Sequence, residues 1–174
     1  FLTLDINIQT VIEDHARRAY EENEADAVYI LVMEADTGQI LGYCGIPNFD
    51  PNEYNRYDRN SLKNLPLVQA FEPGSVFKIF SISSFLQLGG IDSEEEFFCG
   101  GVYQMVLPDG QTIEIRDLAS HGWVNAQKIL KYSCNVGAAL ASERVEREEF
   151  HKMLMLFGFG KPTELPLPGE SAGI

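Results

Sequence analysis

A nearly apolar run, Ser75–Leu88, constrains the fold more than any other feature of this sequence. It follows Pro73-Gly74 and ends at Gly89-Gly90, and a glycine just past the last turn is typical of a helix C-terminus. A helix that is apolar on nearly every face has to be buried among other elements. We therefore predict a central, buried helix over this run, with the charge of Lys78 in its first turn.

The composition is that of a globular protein with one core. The chain has 174 residues, of which 45% are hydrophobic and 22% charged. Its formal net charge of −13 repels phosphate backbones, so the sequence excludes electrostatic binding of nucleic acid. No stretch reaches the roughly 18 consecutive apolar residues of a membrane span. Because the chain begins without Met or a signal peptide, we expect it to be a piece of a longer protein.

Cysteine and histidine are too scattered along the sequence to suggest a metal site. The residues concerned are Cys44, Cys99, Cys134, His15, His121 and His151. Three widely spaced cysteines do not form a disulfide framework, and there is neither a C-x-x-C motif nor a histidine pair at helical spacing. We therefore predict no metal ligands and no cofactor.

Local patterns predict a helix and a β-hairpin at the start of the chain. Asp5 is suited to cap a helix whose apolar positions recur at helical spacing to about Glu22. Ala27–Met33 and Gln39–Ile46 are short apolar runs on either side of Asp36-Thr37-Gly38, which is typical of paired strands. Two strands are too few for a stable sheet, so we expect further strands from outside this sequence.

The remaining segments predict a surface loop and a mainly helical stretch. Pro47–Leu67 is polar and predicts a loop, and the residues after the apolar run are mixed around a Pro108-Asp109-Gly110 turn. Helices are predicted over Ala126–Val145 and Glu148–Phe157. Gly158–Ile174 is rich in glycine and proline and predicts a connector.

Ser75 and Lys78 form an S-x-x-K pattern, which places the lysine amine one helical turn from the serine hydroxyl. Serine is a weak nucleophile until a base takes its proton, and lysine can be that base when burial and a helix N-terminus lower its pKa. In a simpler interpretation, Ser75 caps a helix and Lys78 reaches solvent. The sharp Glu72-Pro73-Gly74 turn and the charge within an apolar helix favour the catalytic interpretation.

A second polar group, Ser133-Cys134-Asn135, offers a hydroxyl able to relay a proton and an amide able to bind a peptide group. A Ser–Lys enzyme needs both functions. The pattern alone is weak, because a polar turn or a helix cap would have the same residues.

Together these motifs resemble those of penicillin-binding proteins. Glu72–Lys78 is similar to the first active-site motif of the family, and Ser133–Gly137 to the second. The resemblance covers essentially the whole chain, is closest to the monofunctional class B type, and leans towards division-type enzymes at Gly169–Gly173. Further matching stretches are Leu2–Gln9, Thr37–Leu41, Pro47–Asn52, Arg59-Asn60, Gly122, Phe157–Gly160 and Leu167–Glu170.

The third motif of that family, Lys-Thr-Gly or Lys-Ser-Gly on a later strand, is absent from this sequence. The lysines after Asn135 are Lys152 and Lys161, and neither is followed by Thr-Gly or Ser-Gly. We expect the third motif, the later strands and half of the oxyanion hole to lie in a C-terminal segment or a second chain. The unfinished hairpin favours a partner, and without it we expect the chain alone to be inactive.

The resemblance implies the α+β fold of β-lactamases and transpeptidases, in which helices pack on an antiparallel sheet beside an all-helical subdomain. The fold would be incomplete here, because the later strands are missing. Residues 1–174 would be the N-terminal portion of one transpeptidase domain. Within it, residues 1–50 form a helix and the first hairpin, 51–160 the active-site helix and helical subdomain, and 161–174 a connector.

The implied activity is that of a serine D,D-transpeptidase, which cross-links peptidoglycan stem peptides through an acyl-enzyme on Ser75 and is acylated by β-lactams. In that role Lys78 is the base, Ser133 relays a proton and Asn135 binds the donor peptide. The resemblance implies no metal or organic cofactor. It places the protein on the extracytoplasmic face of the bacterial inner membrane, anchored by a segment outside this chain.

Two other functions stay open at this point. A β-lactamase uses the same S-x-x-K start, but the Glu-x-x-Leu-Asn string of one class is absent, and another class has an apolar residue where this chain has Asn135. A non-catalytic β-lactam sensor or scaffold would keep the fold, although both early motifs are intact here.

Overall fold

The computed structural model describes residues 2–59 and 61–173, which divide into two units. The first unit contains the residues up to Ala70 together with Leu165–Ser171. The second unit contains Phe71–Glu164 and, among the described residues, also Ala172 and Gly173. Asn60, part of one matching stretch of sequence, lies outside the described residues.

The first unit is built on the predicted helix and hairpin. Helix α1 covers Ile6–Glu22, and the Asp5 side chain caps it by accepting hydrogen bonds from the backbone of Asn7 and Ile8. Strands β1 (Val28–Met33) and β2 (Ile40–Ile46) pair antiparallel as a two-stranded sheet. These elements confirm the prediction made from local patterns.

The core of the first unit lies between α1 and the hairpin. Ile12 and Ala16 of the helix pack with Cys44 and Ile46 of β2, and all four are buried. Gly42 of β2 allows this close approach, because a Cβ there would lie 2.8 Å from Cδ1 of Ile12. The helix therefore packs directly on the face of the hairpin.

The polar segment that follows the hairpin is mostly loop, as predicted, with two short helical turns. These are a 3-10 helix over Pro51–Arg56 and helix α2 over Leu65–Val68. Later in the chain, Ser171 returns to this unit and donates a backbone hydrogen bond to Leu67. The predicted connector has turns but no helix or strand over residues 158–173.

The nearly apolar run begins as a 3-10 turn, Gly74–Phe77, and continues as helix α3, Lys78–Gln87. Ile82, Ser84 and Phe85 are buried on one face of α3. However, Val76 and Ile79 are 66% and 58% exposed. A helix buried on nearly every face was therefore the wrong prediction for the described part of the chain: only one face of α3 is packed.

The helix predicted over Ala126–Val145 is in fact two helices, α4 (Ala126–Tyr132) and α5 (Asn135–Ser142). Ser133 between them is left-handed, with φ 54° and ψ 38°, which stops α4. Cys134 is extended and caps α5 by accepting a hydrogen bond from Gly137. Helix α6 follows over Arg147–Leu156, close to its predicted position.

The second unit also has four strands that the sequence patterns did not resolve. Strand β3 (Phe97–Cys99) pairs with β6 (Gly122–Val124), and β4 (Val102–Val106) pairs with β5 (Thr112–Arg116). The predicted turn at Pro108-Asp109-Gly110 joins β4 to β5. The stretch is therefore not all helical, although the α+β class itself is as predicted.

A single cluster of buried residues joins the helices to the short β3–β6 sheet. Its members are Ile82, Phe85, Ile91, Phe97, Cys99, Val124, Ala126, Ile129, Cys134, Val136 and Ala141. Among the described residues, no helix is long and apolar enough to span a bilayer.

Candidate active site

Ser75 lies on the exposed 3-10 turn that leads into α3. Gly74 before it has a φ of 61°, a left-handed conformation that glycine adopts without strain. Pro73 in turn fixes the preceding backbone at a φ of −69°. The sharp turn expected from the sequence is present, and it leaves the Ser75 side chain accessible.

Lys78 links the two sequence motifs through its side-chain amine. Its Nζ lies 3.2 Å from Oγ of Ser75 and 3.0 Å from Oγ of Ser133. The same Nζ lies 2.5 Å from Oδ1 of Asn135 and 2.6 Å from the carbonyl oxygen of Ser133. All four site residues predicted from the sequence therefore meet at one amine.

The partners of Lys78 suit a neutral amine. A neutral lysine has two N–H donors and one lone pair, and two of its partners can only accept: the Ser133 carbonyl and Oδ1 of Asn135. If those two oxygens take both N–H groups, the lone pair is left to accept from the hydroxyl of Ser75 or Ser133. The same contacts that hold Lys78 in place thus direct its lone pair to a hydroxyl.

The electrostatic surroundings of Lys78 also favour its neutral form. Burial lowers the pKa of the amine below its usual 10.5, while the negative charge of Asp117 opposes that shift. A hollow of about 310 Å³ beside it is lined by Phe85, Ile115 and Phe150 as well as by Lys78 itself. Apolar surroundings disfavour the charged form of a lysine, so this environment favours its use as a base.

Asp117 holds the second motif in place, and sequence reasoning did not single it out. Its Oδ1 accepts from the backbone N–H of Asn135 at 2.6 Å, and its Oδ2 from that of Val136 at 3.0 Å. The Asp117 side chain is only 3% exposed. Burial raises the pKa of this carboxyl, but the hydrogen bonds from Asn135 and Val136 outweigh it and hold the pKa below the usual value.

One further hydrogen bond supports the second motif. The side chain of Asn135 donates from Nδ2 to the carbonyl oxygen of Arg116 at 2.9 Å, at the end of β5. Cys134 points the other way, into the core, and burial raises the pKa of its thiol to about 12. Ser133 is left-handed, and the side chains on either side of Cys134, those of Ser133 and Asn135, both contact Lys78.

The fold also corrects an argument made from the sequence. All three cysteines are free and buried. Cys99, Cys134, His121 and Asp117 lie together directly behind the second motif. The separation of histidines and cysteines along the chain was therefore no reason to predict that a metal site is absent, and no local signal would have revealed this grouping.

Comparison with known proteins places this geometry in a family. Residues 28–174 match the penicillin binding protein transpeptidase domain. The chain belongs to this family, as its motifs predicted, and its relatives are of the class B type.

Among curated relatives, stage V sporulation protein D of Bacillus subtilis is 31% identical over 174 residues, covering 99% of this chain and 27% of the relative. Penicillin-binding protein PbpB of Mycobacterium tuberculosis is 33% identical over 176 residues, covering 99% of this chain and 25% of the relative. The chain thus spans about a quarter of the length of these relatives.

Solved structures agree with this assignment. Penicillin-binding protein 3 of Mycobacterium tuberculosis, in complex with ampicillin, matches with a TM-score of 0.84 at 33% identity, over 98% of this chain and 37% of that one. A peptidoglycan glycosyltransferase from Burkholderia ambifaria matches with a TM-score of 0.82 at 27% identity, over 100% of this chain and 50% of that one. The predicted α+β transpeptidase fold is confirmed.

Proposed function

We propose that this chain carries the acylation centre of a serine D,D-transpeptidase. The observation that carries the proposal is the position of Nζ of Lys78, 3.2 Å from Oγ of Ser75 and within hydrogen-bond distance of Ser133 and Asn135. A nucleophile, a base and a second hydroxyl within one network are what acyl transfer through a serine requires.

Acylation begins with the transfer of a proton. Neutral Lys78 takes the proton of Ser75, and Oγ attacks the carbonyl carbon of the penultimate D-Ala of a stem peptide. The backbone N–H of Ser75 is one donor to the oxyanion that forms. Removal of one such donor typically costs about 10²–10³-fold in rate, so a second donor from the strand that carries the third motif is part of the proposal.

Collapse of the tetrahedral intermediate breaks the peptide bond to the terminal D-Ala. The proton on Lys78 passes through the hydroxyl of Ser133, 3.0 Å away, to the leaving amine. Asn135 has one Nδ2 hydrogen on the carbonyl of Arg116, and its second Nδ2 hydrogen donates to a carbonyl of the donor peptide. An amine of a neighbouring stem peptide then attacks the ester carbonyl of the acyl-enzyme. Its proton passes through Lys78 to Oγ of Ser75, the ester bond breaks, and the cross-link forms with Ser75 regenerated. β-Lactams acylate the same Ser75.

The remaining strands and the Lys-Thr-Gly or Lys-Ser-Gly motif would come from another segment or from a second chain. The β1–β2 sheet has only two strands, and Leu31 and Met33 of β1 are 47% and 52% exposed. Val76 of the 3-10 turn and Ile79 of α3 also expose large apolar surfaces. Such surfaces favour coverage by further structure. We accordingly expect the 174-residue chain on its own to be inactive.

The biological setting follows the same proposal. A peptidoglycan cross-linking enzyme works outside the cytoplasmic membrane, so we expect an anchor in a segment beyond this chain. Relatives include proteins named for peptidoglycan D,D-transpeptidase activity in Neisseria and Buchnera. The Gly169–Gly173 stretch favours a role in division over one in elongation.

The experiment is covalent labelling of the full-length protein with a fluorescent penicillin. We expect labelling of the wild type, loss of it in Ser75→Ala, and its retention in Ser83→Ala, which removes an exposed serine of the same helix. Unlabelled wild type, or a labelled Ser75→Ala variant, would refute the proposal.

Two assays separate the transpeptidase from the other functions. A β-lactam sensor would be labelled but would not join donor and acceptor stem peptides. A β-lactamase would release the label quickly and turn over nitrocefin. A transpeptidase forms cross-linked product and retains the label.

A further inference from the structure

Four side chains that acylation does not use lie together behind the second motif. Cys99 ends β3, Asp117 follows β5, His121 precedes β6, and Cys134 caps α5. One ligand atom from each, a sulfur, a carboxylate oxygen, an imidazole nitrogen and a second sulfur, lies within 4.8 Å of all the others. The fold thus brings together four metal-ligating groups from four different elements.

The contacts within this cluster are close to the ligand spacing of a tetrahedral zinc site. Oδ2 of Asp117 lies 3.1 Å from Sγ of Cys134, 3.2 Å from Sγ of Cys99 and 3.8 Å from Nδ1 of His121. Sγ of Cys99 lies 3.5 Å from the same Nδ1. When ligand atoms lie about 2.0–2.3 Å from a tetrahedral zinc ion, neighbouring ligand atoms are about 3.3–3.8 Å apart. The remaining two distances are within 4.8 Å, so side-chain shifts within the cluster would complete the tetrahedron.

The surroundings also suit a buried metal. Cys99 and Cys134 are fully buried, and the Asp117 and His121 side chains are 3% and 19% exposed. The ring of His121 is held by stacking on Tyr132, with 5.5 Å between ring centroids. The sulfurs are therefore sealed in the core, and an ion can reach them from the side of His121.

From these observations we infer that Cys99, Asp117, His121 and Cys134 bind one zinc ion. Two soft thiolates with an imidazole and a carboxylate, close enough together to surround one ion, favour Zn²⁺ over Mg²⁺ or Ca²⁺, which prefer oxygen ligands. Binding releases the protons of the two thiols, which in the metal-free arrangement are hydrogen-bonded to Asp117.

The role of the ion is structural. Cys134 lies between Ser133 and Asn135, and Asp117 already binds the backbone of Asn135. A zinc ion on these two ligands would fix the turn that presents both side chains to Lys78. This consequence for acylation rests on the proposed function, whereas binding of the ion does not.

Metal analysis of the full-length protein, purified with a reductant and equilibrated with Zn²⁺ before dialysis, tests the site. We expect one zinc ion per chain, lost in Cys134→Ser and retained in Cys44→Ser, which changes the buried cysteine of the first unit. His121→Ala changes a partly exposed ligand with less risk to folding, and its affinity for zinc should fall by more than the ~10–100-fold that loss of an outer-shell group costs. Wild type without zinc, or His121→Ala with unchanged affinity, would overturn the inference.

Two further readouts make the outcome independent of activity. Co²⁺ in place of zinc should give thiolate charge-transfer absorption in wild type and in Ser75→Ala, but not in Cys134→Ser. Peptide mapping without reductant checks for a Cys99–Cys134 disulfide, and a native disulfide that persists in the presence of zinc would contradict the site. Failure of penicillin labelling with normal zinc binding would count against the proposed function alone.

Discussion

The helix–hairpin core of the first unit and the active site of the second are organised by different kinds of contact. In the first, Ile12 and Ala16 pack on Cys44 and Ile46 through apolar contact within one simple motif. In the second, Lys78, Asp117 and Asn135 are joined by hydrogen bonds between distant parts of the sequence. Apolar packing tolerates approximate geometry, whereas a catalytic network needs each polar atom at its place.

The largest effect on the acylation rate should come from Lys78→Ala. Removal of the base should lower the acylation rate by about 10²–10⁴-fold, the usual contribution of a general base. The free energy of unfolding should change little, because Lys78 is only partly buried. Stopped-flow labelling with a fluorescent penicillin measures the rate, and Lys152→Ala, an exposed lysine of α6, is the matched control. An acylation rate within threefold of wild type would show that Lys78 is not the base.

The pH dependence of acylation tests the same network without a substitution. Only the neutral amine can take the proton of Ser75, so below the pKa of Lys78 the rate should rise about tenfold per pH unit. The rise should level off below 10.5, because burial lowers the pKa of this lysine. A rate that keeps rising through 10.5, or that is independent of pH from pH 5 upwards, contradicts a base of this kind.

In the first unit, the largest effect should be on stability. Ile12→Ala removes a 7% exposed side chain from the core and should cost about 2–5 kcal/mol of unfolding free energy. Val11→Ala, at a position 55% exposed on the same helix, should have little effect. Urea denaturation measures both. No contact of Lys78 described above involves the first unit, so the acylation rate of folded Ile12→Ala should stay near wild type. A loss of acylation rate as large as that of Lys78→Ala would show that the two regions do not differ in this way.

The smallest expected effect is at the start of α1. Asp5→Ala removes a side chain that accepts from Asn7 and Ile8, and the loss of such a cap costs about 1 kcal/mol. Asp5→Asn keeps an acceptor and should be closer to wild type. Thermal unfolding resolves the order, and equal destabilisation by both variants would show that the carboxylate charge, not the cap, is what matters.

Local signals explain what could be predicted from the sequence. Asp5, the apolar spacing of α1 and the turn at Asp36-Thr37-Gly38 act between near neighbours, and the helix and hairpin were found correctly. Ser75 and Lys78 are three residues apart, so their meeting also follows from helix geometry. The pairing of Lys78 with Ser133 and Asn135 came from the family resemblance.

The missed features depend on contacts that no local pattern contains. The break at Ser133 arises because its backbone is left-handed, which the apolar spacing of Ala126–Val145 conceals. Asp117 looks like any exposed carboxylate in the sequence until β5 brings it to the start of α5. The same holds for His121, whose neighbours Cys99 and Cys134 are reached only through the pairing of β3 with β6.

The central claim is that Ser75 is acylated with Lys78 as its base, and mapping the covalent adduct tests it most directly. The full-length protein would be treated with benzylpenicillin, digested and analysed by tandem mass spectrometry, with Lys78→Ala treated for the same short time. We predict an adduct on Ser75 in wild type and almost none in Lys78→Ala. An adduct on Ser133 or another residue, or equal modification of Ser75 in both proteins, would contradict the claim.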